Sequence, residues 1–129
     1  MSFMPIYGIG IDLVQIDRLA ALVERWGGRF EARVFTESEL SDCSRRRNRV
    51  PCLAMRFAAK EAFVKALGLG MRKPVLWHDI EIRGNKLGKP EIFLSDRALK
   101  YCGEAGIRSW HLSLTDDGQY GAAVVVIET

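Results

Sequence analysis

Glu61 is the residue in this chain that most demands a chemical explanation. The stretch from Leu53 to Leu67 is rich in strong helix formers and closes at Gly68, which suits the left-handed position that ends a helix. At about 100° per residue, Glu61 falls on the same face as Ala54, Phe57, Ala58 and Val64, the face expected to pack inward. An unpaired buried charge is costly, so a carboxylate there must meet a cation, a hydrogen-bonding network or a metal. The plain alternative is a helical ion pair with Lys65, one turn further on and in the favourable order. Asp12 supplies a second carboxylate. It belongs to a stretch, Tyr7 to Val14, that alternates as a strand does, with Tyr7, Ile9, Ile11 and Leu13 on one side and Gly8, Gly10 and Asp12 on the other. The glycines leave room on the Asp12 side for a ligand or another backbone. Two carboxylates, one on a strand and one on an inward helix face, could share a divalent ion. Magnesium takes one or two protein carboxylates and completes its shell with water and phosphate oxygens. For Asp12 the plain alternative is a cap on the turn into the next helix.

Basic groups stand nearby in sequence. Arg56, Lys60 and Lys65 share the Glu61 helix, and Lys89 sits in a turn beside Gly88, so they could surround phosphates held by such an ion. His111 shares a polar strand face with Ser113 and Thr115 and is available for phosphate contact, although a hydrogen-bonded structural histidine is the commoner outcome. The chain carries no nucleophile elbow, P-loop or dinucleotide fingerprint, so covalent serine catalysis and the usual nucleotide folds have no support.

These residues need a scaffold, and 129 residues, 48% hydrophobic and 27% charged, suit one globular domain over 1–129. Asp17 is read as the cap of a first helix whose buried stripe is Leu19, Leu22, Val23 and Trp26, ended by Gly27 and Gly28. Thr36 and Glu39 form a capping box that opens a second helix, fraying in the arginine run before Pro51. Asp79 to Arg83 and Glu91 to Leu94 read as short strands around a glycine-rich turn, and Ser95 caps a helix to Cys102. Trp110 to Thr115 and Tyr120 to Ile127 form a hairpin across Asp116-Asp117-Gly118-Gln119. Helices and hairpin strands interleave without regular alternation, which predicts an α+β fold with a mostly antiparallel sheet packed with helices.

No apolar run reaches membrane-spanning length and residues 1–11 show no leader, so the expected address is the cytosol, with no membrane span. Cys43, Cys52 and Cys102 are odd in number and lack paired spacing with the two histidines, and are read as reduced thiols. The net charge of +3 is mild, but Arg45, Arg46, Arg47 and Arg49 form a dense run. That run suggests an acidic partner or a phosphate-bearing substrate.

The segments Gly8-Ile9-Gly10-Ile11-Asp12 and Arg56 to Gly68 resemble the 4′-phosphopantetheinyl transferases. The Phe35 to Leu40 segment, Asp79 to Ile82, Gly88-Lys89-Pro90 and His111 to Thr115 are similar to the short bacterial holo-[acyl carrier protein] synthase branch, and the likeness runs from Ile6 to Glu128. The resemblance implies transfer of the phosphopantetheine arm of coenzyme A to a serine of apo acyl carrier protein, with magnesium, in support of fatty acid biosynthesis. It implies Asp12 and Glu61 as metal ligands and, with Lys65 near the pyrophosphate, as the catalytic set. It places Arg56, Lys65, Gly68, Lys89, Pro90 and His111 in the coenzyme A cleft, with Arg56 and His111 as candidates for the 3′-phosphate. It also implies a homotrimer with clefts between subunits. Val14 stands where longer relatives carry a further acidic ligand, and Asp116 where some short relatives carry a second histidine. The acceptor of the serine proton is left open among Glu61, Asp12 and a water on the metal.

An acidic carrier would meet Arg18 and Arg25, seven residues apart on one helix stripe, with Leu22 between them as an apolar anchor. Arg29 extends that stripe if the helix survives the glycines. Two other classes compete. A basic module binding RNA through Arg45 to Arg49 would lose affinity steeply with salt, but it lacks the interleaved aromatics of single-strand readers, and no nucleic-acid partner is expected. A magnesium phosphodiesterase using the same carboxylates would release product with no carrier present.

Overall fold

The computed structural model describes residues 5–129, so the first four residues of the stretch 1–11 read for a leader lie outside them. Strand β1 (Ile6–Gln15) leads directly into α1 (Ile16–Trp26), which Gly27 ends with a positive φ of 54°. Asp17 lies in the first turn of α1 and does not cap it: the N-cap is Gln15, with no side-chain bond. A short helix that the sequence pattern does not announce, α2 (Gly28–Val34), follows at once. Helix α3 (Glu37–Ser44) opens on the Thr36–Glu39 capping box as expected. After a turn through the arginines, α4 runs from Arg49 to Ala66 and takes Pro51 into its first turn, where a missing N–H costs nothing. A 3₁₀ turn at Trp77–Asp79 leads to β2 (Ile80–Gly84) and β3 (Pro90–Leu94). Then come α5 (Asp96–Glu104), capped by Ser95, and the hairpin β4 (Ser109–Asp117) and β5 (Tyr120–Glu128).

All strand pairings are antiparallel, in a three-stranded sheet ordered β1-β5-β4 and a β2-β3 pair, so the predicted α+β class holds. Helix α4 lies across β1 and β5, with Ala54, Ala58, Ala62, Phe63 and Ala66 buried against Val14, Ala123, Val125 and Ile127. Gly8 and Gly10 make that approach possible. A Cβ at Gly10 would stand 1.8 Å from the Ala62 carbonyl oxygen, and one at Gly8 would stand 1.9 Å from that of Ala66. The visitor that the glycines admit is therefore the α4 backbone.

Because α4 occupies the glycine side, the apolar side of β1 faces outward: Ile9, Ile11 and Leu13 are 59, 65 and 67% exposed. The register places Val126, Val124 and Ala122 of β5 beside them, then His111, Ser113 and Thr115 of β4. The buried stripe expected for α1 is narrower than its pattern. Leu19 is buried, but Leu22 and Trp26 are exposed, because α1 covers the core only along one narrow line.

Two further expectations are corrected. Cys43 and Cys52 form a disulfide, since the turn between α3 and α4 folds back and sets their Cα atoms 5.5 Å apart; Cys102 is free and buried. Lys60 is wholly buried among core groups. It pairs with Glu39 at 2.6 Å and donates to the carbonyls of Val34 and Trp77, so it is no phosphate ligand.

Candidate functional site

Asp12 leaves β1 on the α4 side, and Glu61 and Lys65 rise from α4 to meet it. Lys65 Nζ lies 2.9 Å from Asp12 Oδ1 and also donates to the Ile11 carbonyl. The simple Glu61–Lys65 pair is thus not what forms; Lys65 turns to the strand. Glu61 is half-buried, and burial first and the Asp12 charge second push its carboxyl above the usual range, with Lys65 opposing. Two like charges held together with one lysine between strand and helix are an incomplete charge balance. Among the described residues no group of three or more metal-ligating side chains occurs; Asp12 and Glu61 are a carboxylate pair, and two carboxylates could hold an ion completed by water and phosphate oxygens.

The other predicted residues assemble elsewhere. Arg56 and Pro90 line an open cleft of about 1000 Å³ between the α3–α4 turn, the β2–β3 turn and the end of β4. Its basic wall is Arg45, Arg46, Arg47, Arg56 and Arg83. The run considered as a possible polyanion module therefore lines the Arg56 cleft. Arg49, by contrast, is taken out of the run by two 2.6 Å bonds to Glu31 that join α4 to α2. For Arg45, Arg46 and Arg47 the density of the run is the only clue in the sequence, and Arg83 falls on a short predicted strand with no site role.

Lys89, Pro90 and His111 line a smaller pocket of about 180 Å³ beside Trp110, whose indole N–H donates to the Ile92 carbonyl. His111 Nε2 lies 2.6 Å from Glu128 Oε1, and the bonds from His111 and then Ser109 hold the Glu128 carboxyl below its usual range. Gly68 sits just past α4 with φ 80°, a turn conformation that glycine adopts without strain. Neither pocket includes Asp12, Glu61 or Lys65. Arg18, Leu22 and Arg25 are all exposed on α1, and the Arg25 guanidinium sits 5.0 Å above the Trp26 ring. Gly27 breaks the helix before Arg29, so the stripe stops at Trp26.

Residues 8–125 match the family model of the 4′-phosphopantetheinyl transferase superfamily. The chain belongs to this superfamily. A holo-[acyl-carrier-protein] synthase of Geobacter sulfurreducens is 44% identical over 123 residues, covering 95% of this chain and 98% of the relative. The crystal structure of the Neisseria meningitidis synthase has a TM-score of 0.93 at 41% identity, over 97% of this chain and all of that one. That of the Helicobacter pylori synthase, in complex with coenzyme A, has a TM-score of 0.83 at 34% identity, over 92 and 98% of the two chains. The family fold is thus the fold of this chain, with α4 and the β1-β5-β4 sheet as its centre.

Proposed function

We propose that this chain transfers the 4′-phosphopantetheine arm of coenzyme A to a serine of apo acyl carrier protein, releasing adenosine 3′,5′-bisphosphate, as a holo-[acyl-carrier-protein] synthase. The observation that carries this reading is the convergence of Asp12, Glu61 and Lys65 where β1 meets α4, in a chain of this superfamily. Asp12 and Glu61 would hold magnesium, which when bound would draw charge off the pyrophosphate. Lys65 adds a cation beside it, and its bond to Asp12 fixes where that cation stands. Arg56 and His111 would take phosphate oxygens of coenzyme A, with Lys89, Pro90 and Gly68 lining its path. The serine oxygen attacks phosphorus, the bond to the departing nucleotide breaks, and the serine proton passes to a base.

The reading includes a homotrimer. The Asp12–Glu61 pair and the arginine cleft do not meet within one chain, while an apolar sheet face of Ile9, Ile11, Leu13, Val124 and Val126 lies open. A face of that kind marks an interface, and packing it against a second copy would bring one chain's carboxylates toward another's cleft. Sedimentation equilibrium is expected to give three times the 14.5 kDa chain mass; a monomer throughout the micromolar range would exclude the shared site.

Intact mass spectrometry of an apo carrier incubated with this protein, coenzyme A and magnesium is expected to show a gain of about 340 Da, the mass of one covalently held arm. Turnover of coenzyme A with no gain on any carrier would favour the phosphodiesterase reading. For the carrier, exposed Arg18 and Arg25 flank Leu22 on α1 and suit an acidic surface. Arg18→Glu with Arg25→Glu is expected to raise KM for the carrier by about tenfold or more while coenzyme A binding stays; equal loss of both would remove the docking role. Its pathway would be fatty acid biosynthesis and its compartment the cytoplasm.

A further inference from the structure

Arg56 is the one charged side chain of the arginine cleft that the fold has buried, at 8% exposure. Its three nitrogens are used unequally. Nη1 faces Cys52 Sγ at 3.1 Å and Nη2 is bonded to Asp42 Oδ2, but Nε is buried with no hydrogen-bond partner, alone in this among the side-chain atoms of the described residues. A guanidinium binds an anion best when Nε and Nη2 each donate to one of two oxygens. Asp42 takes only Nη2. It neutralises the arginine without completing the fork, and a buried donor left unmade is unfavourable.

The two partners differ in freedom. The Arg56 side chain is packed on α4, whereas the Asp42 side chain on α3 is 41% exposed and can turn into water. Of the two carboxylates lining the cleft, Asp42 and Asp116, Asp42 is the one bonded to a cleft arginine. Burial works against the Arg56 charge, and the Asp42 carboxylate does most to offset it.

We propose that Asp42 is an internal competitor for the anion site on Arg56: its carboxylate occupies the guanidinium in the free protein, and a substrate phosphate displaces it. The proposal rests on the reading of Arg56 as a phosphate contact of coenzyme A. A phosphate monoester brings two oxygens and up to two charges, so it satisfies Nε and Nη2 together. A singly charged anion offers no comparable gain over the resident carboxylate. Asp42 therefore raises the threshold for occupancy and makes the site selective for a phosphate monoester, such as the 3′-phosphate of coenzyme A.

The test is coenzyme A affinity in Asp42→Asn, whose amide oxygen still accepts from Nη2 but carries no charge, with Asp42→Ser alongside in case the amide disturbs α3. Calorimetry and steady-state kinetics are expected to show Kd and KM for coenzyme A falling by about fivefold, the scale of one partly exposed ion pair. The value of kcat should not change, and affinity for dephospho-coenzyme A, which lacks the 3′-phosphate, should not change either. Unchanged or weaker coenzyme A binding in both folded variants would overturn the proposal and make Asp42 a spectator or a support for Arg56. Arg56→Ala separates the two layers. If it binds coenzyme A as the parent does, the phosphate reading of Arg56 falls and the proposal with it; if it loses affinity while the Asp42 variants gain none, only the proposal falls.

Discussion

Replacing Glu61 by glutamine is expected to slow carrier modification by at least about a hundredfold while leaving the fold intact, since it removes charge stabilisation at the reacting phosphate. The substitution keeps the volume and hydrogen-bonding shape of the side chain at the β1–α4 junction, so the loss reads the charge. The intact-mass assay measures it directly, and a variant with parental rate would remove Glu61 from the catalytic set. A second readout is thermodynamic. Burial and the neighbouring Asp12 raise the Glu61 carboxyl above its usual range, so the folded protein binds this proton more tightly than the unfolded chain does. The cost of ionising Glu61 is absent below the ordinary carboxylate value, grows as pH rises from there to the raised value, and is complete above it. Glu61→Gln should therefore melt higher than the parent without added metal once pH exceeds that raised value, an advantage that fades on acidification. Magnesium should raise the melting temperature of the parent and not that of the variant. Equal magnesium shifts in both would place the ion elsewhere.

Lys60→Met is the second large effect, and it falls on stability. Lys60 and Glu39 are both fully buried and 2.6 Å apart, and burial pushes the Lys60 ammonium below its ordinary value against the pull of Glu39. Glu39 also accepts from the backbone N–H groups of Thr36 and Ile82, so the pair ties the start of α3 to β2 while the lysine reaches α2 and the 3₁₀ turn. Removing the cation leaves a buried carboxylate with no countercharge, which costs about 3–5 kcal/mol. Denaturant unfolding should show that loss, and Lys60→Met with Glu39→Gln should recover part of it, because the buried charge is gone although a glutamine oxygen accepts from only one of the Thr36 and Ile82 N–H groups. If the double variant is as weak as the single one, the uncompensated charge is not the cause of the loss.

How much of this was legible before folding differs residue by residue. The capping box at Thr36 and Glu39 and the Ser95 cap are local devices that form where the pattern stands, while the long helix through Glu61 starts earlier, at Arg49, and the last hairpin turns more tightly, at Gly118 and Gln119, because Asp116 and Asp117 pair within β4. Asp12 and Glu61 were legible for the same reason: a carboxylate on an inward helix face and another on a glycine-lined strand conflict with their surroundings in one dimension as in three. Lys60 misled because Arg56 and Lys65 on the same helix reach the edge of the arginine cleft and the end of β1, while its own direction on α4 leads to Glu39, a residue of α3. Helix α2 was missed because Gly27 and Gly28 read as a terminator, yet the chain restarts a helix at once, held by contacts among α1, α2 and Glu31–Arg49.

The amino-acid sequence by itself determined most of the element types and the antiparallel α+β class, since these follow from periodicity and caps, and it singled out Asp12 and Glu61 as charges in unfavourable company. Only the tertiary structure decided which side of β1 is buried. Periodicity separates two faces of a strand but does not say which one meets the core, and here the bare glycine face wins because α4 can lie 1.8 to 1.9 Å from where a Cβ would be. That single choice turns Ile9, Ile11 and Leu13 outward as an open apolar face and holds Asp12 against Lys65.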